Sequence, residues 1–308
     1  MKKLYALTTL IFIFFSCSET DEFDHNENAA RQPIKVINAL DPTKLAKVIF
    51  NPGLTEYERH WYFYPNGLLK KITNTSGTIL QTFFYDANNN LIKTVSGTNS
   101  AFYDMFFYDS DNHLTSVSNH YFSFVNVTNL TFFSNENKYV FGDNNNPSHT
   151  DIFVTPEKLF EKLDSYSLED YGQGNPFLDL YSPEQASYSG NNQTGYTINA
   201  NPDPTVGFWH DDKINPLKQA VYPICKAFSI RIYPPLQTGI SEPWRKSEYN
   251  SQNNVTRAAS GQYDRTEYEY DFNAHDLPTI KRYNSYFQDN LENSGIATLY
   301  YYQGDPIP

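Results

Sequence analysis

The feature that most constrains the fold is an internal repeat. Tyr62-Phe63-Tyr64-Pro65-Asn66-Gly67-Leu68-Leu69-Lys70-Lys71-Ile72 is followed by Phe83-Phe84-Tyr85-Asp86-Ala87-Asn88-Asn89-Asn90-Leu91-Ile92-Lys93-Thr94-Val95. A third copy is Phe106-Phe107-Tyr108-Asp109-Ser110-Asp111-Asn112-His113-Leu114-Thr115-Ser116-Val117. The pattern returns at Tyr268-Glu269-Tyr270-Asp271-Phe272-Asn273-Ala274-His275-Asp276-Leu277-Pro278-Thr279-Ile280, with a worn copy from Tyr249 to Val255. Tyr64 and Tyr85 lie 21 residues apart, Tyr85 and Tyr108 lie 23 apart, and Tyr249 and Tyr270 lie 21 apart. An aromatic-x-aromatic stretch has a two-residue period, which points both rings to one face of a strand. The Asp and Asn cluster after it makes Asx turns and tolerates left-handed backbone, and Gly67 sits where such a turn wants it. Leu68, Leu91 and Leu114 restart the chain, with Ile72, Val95 and Val117 further along it. Each unit therefore reads as a β-hairpin. A lone hairpin is marginal in water, so neighbours must stack to bury the aromatic face. The expected fold class is mainly β: an antiparallel β-meander of hairpin repeats, forming a long curved or barrel-like sheet, with a small partly helical insertion.

These units resemble the YD repeats of RHS-type proteins. They resemble more closely the short YD-like repeats of Bacteroidetes surface lipoproteins of unknown function. The resemblance covers about residues 55–154 and 245–303, and Pro65 stands where Asp does in other copies. It implies a long antiparallel meander. With no recognisable RHS core or toxin segment, the encapsulating role of large RHS shells is not implied.

The N-terminus reads as a processing segment. Lys2 and Lys3 form a positive start, and Leu4 to Phe15 is an apolar run too short to span a bilayer core of about 30 Å as a helix. Phe14-Phe15-Ser16-Cys17 resembles a bacterial lipobox, which implies that Cys17 becomes a lipidated N-terminus. Ser18-Glu19-Thr20-Asp21-Glu22 resembles the acidic stretch that follows the lipidated Cys in surface-exposed Bacteroidetes lipoproteins. Several acyl chains on one residue make a stable anchor. The expected organisation is a signal peptide over residues 1–17, a flexible tether over 18–45, and one repetitive β domain over 46–308.

Composition excludes several classes. Lys and Arg number 23 against 35 Asp and Glu, a formal charge of −12 with no basic run, so nucleic acid is not an expected partner. Aromatic residues make up 17 % of the chain, too many for a disordered one. A mean hydropathy of −0.59 argues against a helical membrane protein. With two Cys there is no disulfide scaffold. If Cys17 is lipidated, Cys225 cannot form a disulfide within the chain and reads as a buried apolar residue.

Between the repeat blocks the character changes, and residues 155–226 read as the insertion. Leu159, Phe160 and Leu163 fall at helical spacing behind Pro156, which predicts a helix over about 156–171. Further on, Phe208-Trp209-His210-Asp211-Asp212-Lys213-Ile214-Asn215-Pro216-Leu217 resembles a Tyr-x-x-Asp-x-Lys-x-Asn-Pro element of the same lipoproteins, which leads from a strand into a helix. Asn215 is expected to cap that helix and Pro216 to start it, with Pro223 limiting it at or before Lys226.

Catalytic signals are sparse. The seven His are scattered, without metal-ligand spacing, so no metal and no cofactor are expected. Asp86-x-Asn88-x-Asn90 has the start of a calcium loop but lacks its later Gly and Glu. Trp209, His210, Asp211 and Asp212 form the densest polar cluster beside an aromatic. The preferred reading is a strand end before a helix entry, with acids near the helix N-terminus. The functional alternative is a carbohydrate or cation site with Trp209 as a stacking platform. Glu157, Glu161, Asp164, Glu169 and Asp170 could supply a carboxylate pair, but more often form a solvated face.

The resulting expectation is a non-enzymatic protein of the outer membrane, lipid-anchored and exposed at the cell surface. Its role would be binding or structural, as an accessory to an outer-membrane complex or in glycan capture. The expected partners are the membrane, through the N-terminal lipid, and outer-membrane proteins or glycans. The alternative is a secreted or surface polysaccharide hydrolase with acids on the 155–226 insertion. A transmembrane β-barrel is disfavoured by the lipobox and by short Asn-rich turns.

Overall fold

The computed structural model describes residues 40–97, 101–141, 149–169, 177–198, 206–228, 247–260 and 264–308. The signal segment, Cys17 and most of the tether lie outside the described residues. The strands are β1 (Leu45–Phe50), β2 (Arg59–Phe63), β3 (Leu69–Thr73), β4 (Ile79–Tyr85), β5 (Leu91–Ser96), β6 (Phe102–Tyr108), β7 (Leu114–Tyr121), β8 (Phe124–Phe133) and β9 (Lys138–Phe141). They continue with β10 (His149–Val154), β11 (Phe160–Glu169), β12 (Phe177–Ser189), β13 (Asn192–Ile198), β14 (Val206–Ile214), β15 (Asn253–Ser260), β16 (Asp264–Phe272), β17 (Pro278–Phe287) and β18 (Asn290–Tyr302). Between β14 and β15 the described residues include helices α1 (Pro216–Phe228) and α2 (Ser247–Asn250).

Each strand pairs antiparallel with the next in sequence, as β2 does with β3 and β9 with β10. The last strand returns to the first, with Val48 opposite Tyr300 and Ile49 opposite Leu299. The 18 strands thus form a closed up-and-down barrel, and closure leaves no unpaired edge.

The repeat copies are the hairpins at one end of the barrel. Tyr64 N donates to Leu68 O, Asp86 N to Asn90 O, Asp109 N to His113 O and Asn273 N to Leu277 O. The left-handed position is Gly67 (φ 90°), Asn89 (63°), Asn112 (63°) or Asp276 (57°), all within the range Gly, Asn and Asp tolerate. In three of them one side-chain oxygen closes the loop. Asp86 Oδ1 accepts from the backbone of Asn88 and Asn90, Asp109 Oδ1 from Asp111 and His113, and Asn273 Oδ1 from His275 and Leu277. The Asp86-Asn88-Asn90 spacing is therefore turn chemistry.

After each turn the returning strand carries one extra residue. The register slips between Phe84 and Tyr85, which face Lys93 and Leu91, so Ile92 is a β-bulge. The bulge places Leu91 and Thr94 on the same face, three residues apart. Thr94, fully buried, therefore occupies the position that Ile72 and Val117 hold in neighbouring copies, and Val95 turns outward opposite Tyr103.

That bulge also explains why the helix expected over 156–171 is absent. Residues 155–159 form another turn of the repeat, with Thr155 N donating to Leu159 O and Lys158 in the left-handed region. Phe160 to Glu169 is strand β11. Phe153 and Val154 face Lys162 and Phe160, so Glu161 is the bulge and Phe160 and Leu163 both point to the core. The spacing that resembled one helical turn is a two-residue period with one residue inserted. The worn copy at Tyr249 fails in the opposite sense: Tyr249 lies on α2, and β15 starts only at Asn253.

Tyrosine hydroxyls lock successive hairpins. Tyr85 OH donates to Leu69 O (2.8 Å), Tyr108 OH to Leu91 O (3.0 Å), Tyr188 OH to Phe160 O (2.8 Å) and Tyr302 OH to Pro278 O (2.9 Å). Each accepting carbonyl opens a returning strand, where the bulge disturbs the ladder. The ring is buried while its hydroxyl replaces a lost backbone partner.

Buried side chains from strands all around the ring and from α1 form one cluster, so the buried face is the inside of the barrel. Trp61, Phe83, Phe160, Leu217, Val221 and Ile224 are almost wholly buried in it. Helix α1 begins as expected, with Asn215 Oδ1 accepting from Leu217 N at 3.0 Å. It runs through Pro223 to Phe228. An internal Pro costs about 3 kcal/mol, which burial of Ile224, Cys225 and Ala227 offsets. Lys226 Nζ donates to Asn90 Oδ1 (2.7 Å) and Lys218 Nζ to Asn191 O (3.1 Å), so α1 is fastened to the turn end as a plug. Cys225 is buried on this helix, and burial pushes its thiol up to about 12.

The outward face is of a different kind. It carries a second set of rings with lysines over them: Lys71 over Tyr62 (4.9 Å), Lys93 over Tyr103 (4.8 Å) and Lys162 over Phe153 (5.5 Å). Ion pairs join Lys138 to Asp151 (3.0 Å) and Lys162 to Asp164 (2.6 Å) on that side. Both carboxylates are shielded by their neighbours, whereas Phe107 and Trp209 on the same face are exposed.

Candidate functional site

One row of inward side chains crosses five strands. Arg59 on β2 lies opposite Phe50 on β1, Phe50 opposite Thr298 on β18, Thr298 opposite Lys281 on β17, and Lys281 opposite Tyr270 on β16. One pleat nearer the turn end, Trp61 lies opposite Val48, and Val48 opposite Tyr300. Helix α2 is laid across this wall. Ser247 Oγ donates to Gln193 O (2.7 Å), Asn250 Nδ2 to Gln193 Oε1 (2.9 Å), and Asn215 Nδ2 to Glu248 O (2.5 Å). The residue that caps α1 therefore also places α2.

Between wall and helix is a cavity of about 400 Å³ lined by Phe50, Tyr57, Arg59, Trp61, Glu248, Tyr249, Tyr268 and Lys281, among others. It runs from Tyr57, exposed at the mouth, to Trp61, which is 1 % exposed at the floor. The rings make an aromatic wall: Phe50 and Trp61 lie 4.6 Å apart between centroids, and Trp61 and Tyr249 lie 5.8 Å apart. Lys281 Nζ is 2.7 Å from Glu248 Oε2 and 3.9 Å from the centre of the Tyr268 ring. Burial alone would lower the Lys281 ammonium, but the facing Glu248 carboxylate outweighs it and holds the group well above the usual lysine range. Burial raises the hydroxyls of Tyr249 and Tyr300, which stay neutral. The Trp61 indole Nε1 is buried and has no hydrogen-bond partner. Arg59 Nη1 is held at 2.9 Å by the carbonyls of Glu56 and Glu58. Rings, a fixed ion pair and the Arg59 guanidinium suit a cavity of this size to holding a small polar molecule.

Trp209, His210, Asp211 and Asp212 are placed differently. Trp209 points outward, 47 % exposed, with the Arg257 guanidinium 4.6 Å from its ring. His210 lies on the other side of the strand, its Nε2 2.8 Å from Ser247 Oγ. Asp211 holds an irregular part of the β14–β15 pairing, accepting from the backbone of Lys213 and Asn254 and from Asn254 Nδ2. Asp212 is exposed. These four are neighbours in sequence but do not surround one space. Among the acids of the insertion, Glu157 and Glu161 are exposed and Asp164 is paired with Lys162, while Asp170 lies outside the described residues. Among the described residues, no three His, Cys, Asp or Glu side chains come together as a metal site requires.

His210 provides a pH test of this region. Burial holds its imidazole below the usual range, and His120 is lowered for the same reason. For such groups the unfolded chain takes the proton first, so stability is full above about pH 6.5 and falls as pH drops below it. The thermal midpoint is expected to fall between about pH 7.5 and 5.5, and to fall less in His210→Gln, because one of the two groups is then removed. A slope identical to that of the parent protein would place the pH dependence elsewhere.

Sequence reasoning missed the cavity because its residues carry no local motif. The signal that was present is Tyr268-Glu269-Tyr270, read only as a repeat strand.

No family model matches the chain, and no curated protein does. Among solved structures the chain is similar to a porin-like protein from Bacteroides uniformis, at 10 % identity and a TM-score of 0.32, over 86 % of this chain and 99 % of that one. A TM-score so low carries nothing about function.

Proposed function

We propose that the chain is a non-enzymatic, lipid-anchored protein of the outer membrane, exposed at the cell surface, and that it captures a small glycan within its barrel. The observation that carries the binding role is the aromatic-walled lumen cavity lined also by the Arg59 guanidinium. The anchor rests on the lipobox-like Phe14-Phe15-Ser16-Cys17, and the acidic stretch after it favours surface exposure. The YD-like repeats are consistent with the Bacteroidetes surface lipoproteins that the sequence resembles, and the protein is read as one of them.

The location is tested in the native host. Intact cells treated with an impermeant amine-reactive label are expected to yield labelled protein, and Cys17→Ala to move it from the membrane fraction to the soluble one. Absence of surface label together with unchanged fractionation of the variant would end the anchored reading.

A further inference from the structure

We infer that the lumen cavity selects an acidic sugar, with the ligand carboxylate on Arg59 and the ring against Phe50 and Tyr268. This rests on the capture reading and names the ligand class of the same site.

Charge is the first argument. Among the described residues the cavity is lined by two cations, Arg59 and Lys281, and one carboxylate, Glu248. Glu248 is engaged with Lys281 at 2.7 Å, which makes that pair neutral as a unit. The charge left over is the Arg59 guanidinium, whose Nε and Nη2 edge is the part that matches a carboxylate. The whole chain carries a formal −12, so a cavity with surplus positive charge is the part of this surface that tolerates an anion.

The second argument is the free edge of Arg59. Its Nη1 is spent on the Glu56 and Glu58 carbonyls, and an apolar ligand would leave its Nε and Nη2 donors unmatched, which a carboxylate satisfies. The third is shape: the half-buried rings of Phe50 and Tyr268 offer flat faces to the C–H faces of a pyranose, backed by the buried Trp61 and Tyr249, in a cavity of about 400 Å³.

The test is calorimetric titration of the full mature chain with D-glucuronate and D-glucose, which share the ring and differ in the carboxylate. Glucuronate is expected to bind about tenfold or more tightly than glucose, the scale of one charge-assisted hydrogen bond. Arg59→Gln is expected to bring glucuronate down to the glucose level while glucose affinity changes less than about twofold. Tyr268→Ala removes a ring that lines the cavity and is expected to weaken both sugars by about the same factor. Thermal midpoints of both variants confirm that they fold. Equal binding of the two sugars, or a preference that survives Arg59→Gln, would overturn the acidic-sugar assignment and leave glycan capture standing. Binding of neither sugar would overturn both.

Discussion

Glu248→Gln is expected to lower the unfolding free energy by about 3 kcal/mol, the lower end of what breaking a buried ion pair costs. The asymmetry of the pair is the reason. The Lys281 side chain is only 4 % exposed, whereas that of Glu248 is 27 % exposed. Removing the carboxylate leaves an ammonium in the barrel interior, among the rings of Tyr268, Tyr270 and Tyr300, without a counter-charge. The Tyr268 face 3.9 Å away offsets only part of that cost. Adding Lys281→Met to Glu248→Gln is expected to recover most of the loss, because an apolar chain of similar length needs no partner. Urea unfolding with an unchanged m-value checks both variants. A single-variant cost below about 1 kcal/mol would mean that the ammonium finds water or another acceptor, and that the pair does not hold α2 in place.

The second large effect contrasts two adjacent phenylalanines. Phe83→Ala is expected to cost about 3–5 kcal/mol, and Phe84→Ala less than about 1 kcal/mol. Phe83 is fully buried inside the barrel, opposite Thr94. Phe84 lies on the outward face opposite Lys93, whose ammonium is 5.9 Å from its ring. Deleting the first opens a cavity in the cluster that α1 plugs, while deleting the second removes one partly solvated ring. Denaturant midpoints of the two variants measure the difference. Similar costs for the two would contradict the assignment of inner and outer faces around this strand.

The same alternation shows how much of the molecule was legible in its sequence. Tyr85, Asp86, Asn89 and Leu91 predict strand, Asx turn and strand correctly, because each step depends on bonds within a few residues. The period misled at Phe160 and Leu163, where a bulge at Glu161 imitates one helical turn. The turn at Thr155 and the bond from Tyr188 OH to Phe160 O show that this segment belongs to the repeat despite its divergent residues. Tyr249 misled through spacing alone, since its distance from Tyr270 equals one repeat while its backbone is helical. The cluster from Trp209 to Asp212 was compact in sequence, but a strand sends neighbouring side chains to opposite faces. The cavity could not be read locally at all: Arg59, Trp61, Glu248 and Lys281 are joined only by strand pairing and by the placing of α2.

Neighbouring residues alone specify the hairpin unit, its turn chemistry and the start of the capped helix α1. The sequence also carried the aromatic excess, now divided between a packed interior and an outer row under lysines. Local hydrogen bonding and side-chain period are sufficient for those features. Only the tertiary structure decided that the meander closes, with β1 meeting β18, and that α1 plugs one end. Only the tertiary structure, too, brought Glu248 over Lys281 beside Trp61. Those outcomes depend on contacts between distant parts of the chain, and on which face becomes the inside once the sheet has no edge.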